Sequence, residues 1–124
     1  MNLIQKIRDF FLSENSPDPE LLGRFRSLAD KEYEVYKETV LSFDAADVFE
    51  LSEEICFYNA VREYILYGGY ISNEVLNGIM TDQPIALMHA YAKMSHESTC
   101  PTWDEIQKIM ELTFLDSEEV LYAS

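Results

Sequence analysis

His96 and Cys100 stand four residues apart in His-Glu-Ser-Thr-Cys, a spacing that could do metal chemistry on a helix. The zinc-protease pattern, however, needs a second histidine where Cys100 stands. A zinc site takes three or four ligands, and only His89 and Cys56 remain as further nitrogen or sulfur donors. Pro101 also biases Cys100 away from helical geometry. The expectation is a loop histidine, a half-buried thiol and no metal. Cys56 offers a nucleophile only if a base or a helix N-terminus stabilises its thiolate. Glu53 and Glu54 beside it push the other way, so it reads as a structural thiol. Fifteen glutamates and eight aspartates make carboxylate pairs unavoidable, and none sits in a diagnostic frame for acid–base work. Gly68-Gly69 lacks the Lys-Ser/Thr partner of a phosphate loop. No catalytic residue, metal or cofactor is expected, and the chain reads as a non-enzyme.

What the residues offer instead is charge. The formal net charge is −14. Residues 1–42 hold six bases against eight acids, a balance of −2, whereas residues 43–124 hold three bases against fifteen acids, a balance of −12. Such a chain repels nucleic acid and anionic membrane and attracts basic surfaces. Asp44, Asp47, Glu50, Glu53 and Glu54 fall within eleven residues with no base between them. On a continuous helix Asp47, Glu50 and Glu54 would form one stripe beside Val48, Leu51 and Ile55, with about 5–6 Å between turns. Glu111, Asp116, Glu118 and Glu119 make a second block, with no base after Lys108. Like charges this close destabilise a helix slightly, so local stability does not explain them. Three readings stand: a solvated face kept for solubility, a docking surface for a basic partner, and mimicry of DNA. Tyrosine is the other unusual count, at eight. Tyr33 and Tyr36, and Tyr58, Tyr64, Tyr67 and Tyr70 around the double glycine, suit either the edge of a core or an interface. Tyr67 and Tyr70 are the expected exposed pair.

The elements that must position these residues are helical. Leu3, Ile4, Ile7, Phe10 and Phe11 predict an amphipathic helix over 2–13, broken by Ser13 to Pro17. Asp18 before Pro19 opens a second helix over 19–41, with the stripe Leu22, Phe25, Ala29, Tyr33, Tyr36 and Val40. Asp44 caps a third over 45–67, with a bend near Ser52, ended by Gly68-Gly69. Ser72 caps a short helix carrying Val75, Leu76, Ile79 and Met80. Thr81-Asp82-Gln83-Pro84 starts another, with Ile85, Met88, Tyr91 and Ala92 inward. After a loop from Ser95 to Pro101, Thr102 and Glu105 form a capping box before Ile106, Ile109, Met110 and Phe114. Ser117 caps a last turn over 118–122. No stretch alternates with period two. The fold class is therefore all-α, a single domain over 1–124 built as a bundle of five to seven helices. With 48% hydrophobic residues the chain can bury a real core. The two cysteines fit reduced thiols, no segment reads as a signal or membrane span, and a cytoplasmic protein is expected.

From about Lys31 to Ser95 the chain resembles a family of uncharacterised helical proteins frequent on mobile elements of gut anaerobic Gram-positive bacteria. The matching landmarks are Tyr33-Glu34-Val35-Tyr36, Ile55 through Ala60 to Tyr64-Ile65, Ile71-Ser72 with Leu76, then Pro84-Ile85 and Tyr91. Tyr67-Gly68-Gly69 stands where that family has a polar acidic turn. The resemblance implies a mobile-element or phage context and no enzymatic activity. With the charge, it leads to the expectation of an acidic protein-binding inhibitor, of anti-CRISPR or anti-restriction type, docked on a basic, nucleic-acid-handling host protein. The alternative is a regulatory module that self-associates as a homo-oligomer through tyrosine-rich surface.

Overall fold

The computed structural model describes residues 18–96 and 100–115. Within them lie six helices and no strand: α1 (Pro19–Leu41), α2 (Ala45–Glu50), α3 (Ser52–Tyr67), α4 (Asn73–Asn77), α5 (Pro84–Met94) and α6 (Trp103–Phe114). The all-α expectation holds for this part of the chain. The expected helices over 2–13 and 118–122 lie outside the described residues.

Local chemistry starts most of these helices where the sequence places them. The Asp18 carboxylate accepts from the backbone N–H of Glu20 at 2.9 Å, and Pro19 follows at the first helical position. Ser72 accepts from Val75 N–H. Thr102 and Glu105 complete a reciprocal capping box. α1, α3, α5 and α6 then close around one core of Phe25, Ala29, Phe57, Val61, Tyr64, Ile65, Ile85, Met88, Ile106, Ile109 and Met110. α4 plugs one side of this core with Val75 and Leu76, packed on α1 and α6. Ile79 and Met80, expected on this short helix, lie beyond it, because α4 ends at Asn77 and Gly78 caps it; Met80 is exposed.

The expected helix over 45–67, with its bend near Ser52, is interrupted there completely and forms two helices. α2 stops at Glu50, and Leu51 leaves helical geometry (φ −89°, ψ 6°) before α3 begins. Electrostatics favour the break. A continuous helix would hold Asp47, Glu50, Glu53 and Glu54 at mutually repelling three- and four-residue spacings, each costing a few tenths of a kcal/mol. With the break, Glu53 and Glu54 occupy the first turn of a new helix, where the N-terminal dipole favours negative charge.

The glycine pair at the end of α3 serves two purposes. Gly68 takes the left-handed conformation (φ 113°) that stops the helix. Gly69 makes room instead, because a Cβ there would fall 2.3 Å from the Tyr64 ring. That ring is buried, and its hydroxyl donates to the Tyr70 carbonyl.

The cysteines correct the thiol expectation. Cys56 and Cys100 are joined by a disulfide across a sequence separation of 44, which ties the middle of α3 to the residue before Pro101. Proximity in the fold overrides the compositional argument: the chain has only these two cysteines, and packing α6 against α3 brings them together.

Candidate interaction surface

The acidic residues divide by where α2 and α3 point them. Asp44 is spent on the N-cap of α2, accepting from Asp47 N–H at 3.1 Å. The side chains of Asp47, Glu50 and Glu53 stay in solvent, and among the described residues no base pairs with them. Glu54 departs from the expected stripe. The break at Leu51 turns it inward, where it accepts from the Tyr36 hydroxyl at 3.2 Å and lies 3.7 Å from His89 Nδ1. Glu111 is half-buried on α6 and accepts from Gln107. Asp116, Glu118 and Glu119 lie outside the described residues.

Apolar side chains share the α2 corner with those acids. Leu41 is 72% exposed, Phe43 42% and Phe49 80%. One groove of about 210 Å³ runs between the end of α1, α2 and α3, lined by Tyr33, Tyr36, Lys37, Val40, Leu41, Val48 and Ile55. A second depression of about 280 Å³ is lined by Phe43, Asp47, Glu50 and Leu51. Thus α2 presents Val48 to one hollow and two carboxylates to the other. Sequence reasoning found the acids. It missed Phe43 and Leu41 as their neighbours, although both flank the Ser42 boundary that turns α1 into α2.

The tyrosines sort differently from an interface cluster. Tyr58 and Tyr64 are buried. Tyr36 stacks on Tyr58 with centroids 4.0 Å apart, and Tyr33 lies under the Arg62 guanidinium at 4.7 Å. Arg62 in turn pairs with Asp30 at 3.1 Å. Only Tyr67 and Tyr70 of this group are exposed, as the double glycine suggested. The Tyr64 ring meets exposed Trp103 edge-on at 5.6 Å, so an aromatic patch surrounds the end of α3.

A seam of titratable groups between α1, α3 and α5 was not foreseen. His89 leans on Phe57 and Tyr58 and faces Glu54. Burial holds the His89 imidazole below its ordinary range, Glu54 works against that shift, and Lys93 adds to it. Burial, with Glu32 and Glu54 nearby, pushes the Tyr58 phenol up to about 12. Burial and the Glu54 carboxylate raise Tyr36 further still. Tyr36 and His89 both engage Glu54, and no buried side-chain nitrogen or oxygen among the described residues lacks a partner. No His/Cys/Asp/Glu cluster suited to a metal occurs among the described residues either.

Glu32 is the strongest of these polar contacts. Its two oxygens accept from Ile85 N–H at 2.8 Å and Ala86 N–H at 2.7 Å, so α1 caps the first turn of α5. α5 has no cap of its own, because Gln83 makes no capping bond. Glu32→Ala is expected to cost about 1–2 kcal/mol of stability, the range for a lost cap, measured by urea unfolding. Burial raises the Glu32 carboxyl above 4.5, and the two N–H bonds oppose the shift. The folded state therefore holds this proton more tightly than the unfolded chain. The resulting stability is full below 4.5 and is lost as pH rises through the folded value. Glu32→Gln should erase that segment of the stability–pH curve, and an unchanged curve would refute the assignment.

No helix among the described residues is long and apolar enough to cross a membrane. No family model matches the chain, and neither does any curated protein or solved structure.

Proposed function

We propose that this chain is a non-catalytic protein-binding module that docks the α2 corner on a basic protein surface. The observation that carries the reading is the mixture at one corner: exposed Phe43 beside exposed Asp47 and Glu50 in one hollow, with exposed Leu41 in the apolar groove on the other side of α2. Interfaces combine apolar anchors with a polar rim, and apolar side chains at two hollows, one of them bordered by carboxylates, match that arrangement. The break at Leu51 interrupts the carboxylate row, which favours protein docking over imitation of a DNA backbone. The further step, an inhibitor of anti-CRISPR or anti-restriction type acting on a nucleic-acid-handling host protein, rests on the mobile-element resemblance of residues 31–95. The proposed setting is the cytoplasm, where such machines work. The Cys56–Cys100 bond weighs against that setting, because cytosolic thiols are kept reduced.

The test is capture from a lysate of the source organism at low and at high salt. A basic partner should be retained at low salt and released at high salt, since exposed charges are screened. Asp47→Lys with Glu50→Lys should abolish retention while leaving the far-ultraviolet circular dichroism unchanged. Glu54 is left intact, because reversing it would break its bond to Tyr36. Retention that ignores both salt and charge reversal sinks the reading. Self-association is the second reading, favoured by the Tyr67, Tyr70 and Trp103 patch. A sedimentation coefficient that rises with protein concentration at low salt would support it, because like-charged acidic faces oppose such contact.

A further inference from the structure

We propose that the α2 corner receives one face of a basic amphipathic helix from a partner protein, an inference that rests on the docking reading above and specifies its ligand. Size points away from a small molecule. The apolar groove holds about 210 Å³, below the roughly 300–1,000 Å³ of small-molecule sites. That volume suits one or two apolar side chains presented by a helix. The groove is almost wholly apolar: Tyr33, Tyr36, Val40, Leu41, Val48 and Ile55 line it, with Lys37 the one charged side chain.

The second hollow supplies the charge complement. Asp47 and Glu50 are three residues apart on α2 and share a face, and Phe43 and Leu51 complete the walls. A lysine or arginine entering there would lay its methylene stem on Phe43 and Leu51 and its charged head between the two carboxylates. Lys37 would repel a base, so the partner's bases enter from the α2 side and its apolar residues from the α1 side. The two hollows together read a segment that is apolar along one edge and basic along the other.

The probe is a labelled, end-capped Leu/Lys peptide whose leucines recur at i, i+3, i+4 and i+7, compared with a scrambled isomer of the same composition. Binding to the full chain is followed by fluorescence anisotropy. The helical isomer should bind about tenfold or more tightly than the scrambled one, the margin expected from burying one large apolar side chain. Leu41→Ser should remove that margin, and the exposure of Leu41 keeps the fold intact. Equal binding of the isomers, or a margin that survives Leu41→Ser, overturns the inference. If both isomers bind equally and Asp47→Lys with Glu50→Lys weakens both, acidic docking stands and the helix groove falls. A dimer that Leu41→Ser dissolves would make a second copy the occupant and overturn the partner proposal. So would a tenfold gain in peptide affinity on Phe10→Ser with Phe11→Ser, which would assign the groove to the chain's own first residues.

Discussion

Reducing the Cys56–Cys100 bond is expected to lower the free energy of unfolding by about 4 kcal/mol. The bond closes a loop with a sequence separation of 44. Restricting the unfolded chain over such a loop contributes about 4 kcal/mol in the chain-entropy account. Domains of this size are stable by only about 5–15 kcal/mol, so the bond supplies a large share of the total. The loop contains most of α3, all of α4 and all of α5, and its closing point precedes the capping box that starts α6. The reduced chain should keep the same fold, because α6 also packs on α3, α4 and α5 without the bond. Thermal melts followed by circular dichroism, with and without dithiothreitol, measure the effect. A fall in Tm of roughly 10–20 °C is expected. The Cys56→Ser, Cys100→Ser double variant should melt with the reduced protein and ignore the reductant. Equal melting of oxidised and reduced wild type would show that the cross-link does not hold the fold. The outcome also bears on where the protein works: a chain that melts near growth temperature when reduced does not suit a reducing compartment.

The parts of the fold legible in the sequence are those whose signals lie within one helical turn of their effect. Asp18-Pro19, Ser72 and the Thr102–Glu105 box each announce a helix start that the structure places at that point. The missed features depend on partners far along the chain. Glu32 caps a helix 53 residues away, and the only local hint is that Gln83 supplies no cap for α5. The break at Leu51 falls beside the bend expected near Ser52, but no glycine or proline marks it as a full interruption of the helix. It follows from charge repulsion along 47–54 and from the pull of Tyr36 and His89 on Glu54. The candidate surface was half legible for the same reason. Asp47 and Glu50 could be assigned to one face by counting, and the boundary at Ser42 is local, but which way the turn there points Leu41 and Phe43 is set by how α1 and α2 pack. The disulfide was legible only as the one pairing two cysteines allow, and composition argued against it.

Gly78→Ala is expected to destabilise the fold by about 3 kcal/mol, at the upper end of overpacking costs. Gly78 ends α4 with φ −81°, a conformation alanine adopts freely, so the backbone at Gly78 itself raises no objection. The objection is steric. A Cβ at Gly78 would lie 1.9 Å from the Phe114 carbonyl oxygen and 3.0 Å from its carbon. Those are backbone atoms, which no rotamer change can move aside. Either α4 must retreat from α6, or the end of α6 must shift and carry with it the buried Phe114 ring, which packs edge-on to Phe25 at 5.9 Å. The same substitution at Gly23 should have the opposite sign. Gly23 is exposed within α1, a Cβ there meets nothing within 4 Å, and alanine is favoured in a helix interior by roughly 1 kcal/mol. Urea midpoints of the two variants measured side by side test both claims, and a Gly78→Ala midpoint equal to that of wild type would remove the close α4–α6 contact from the account. α4 packs on α1 and α6, and neither Gly78 nor Phe114 lines the α2 hollows. The folded fraction of Gly78→Ala should therefore bind a basic partner as wild type does, which separates loss of stability from loss of the surface.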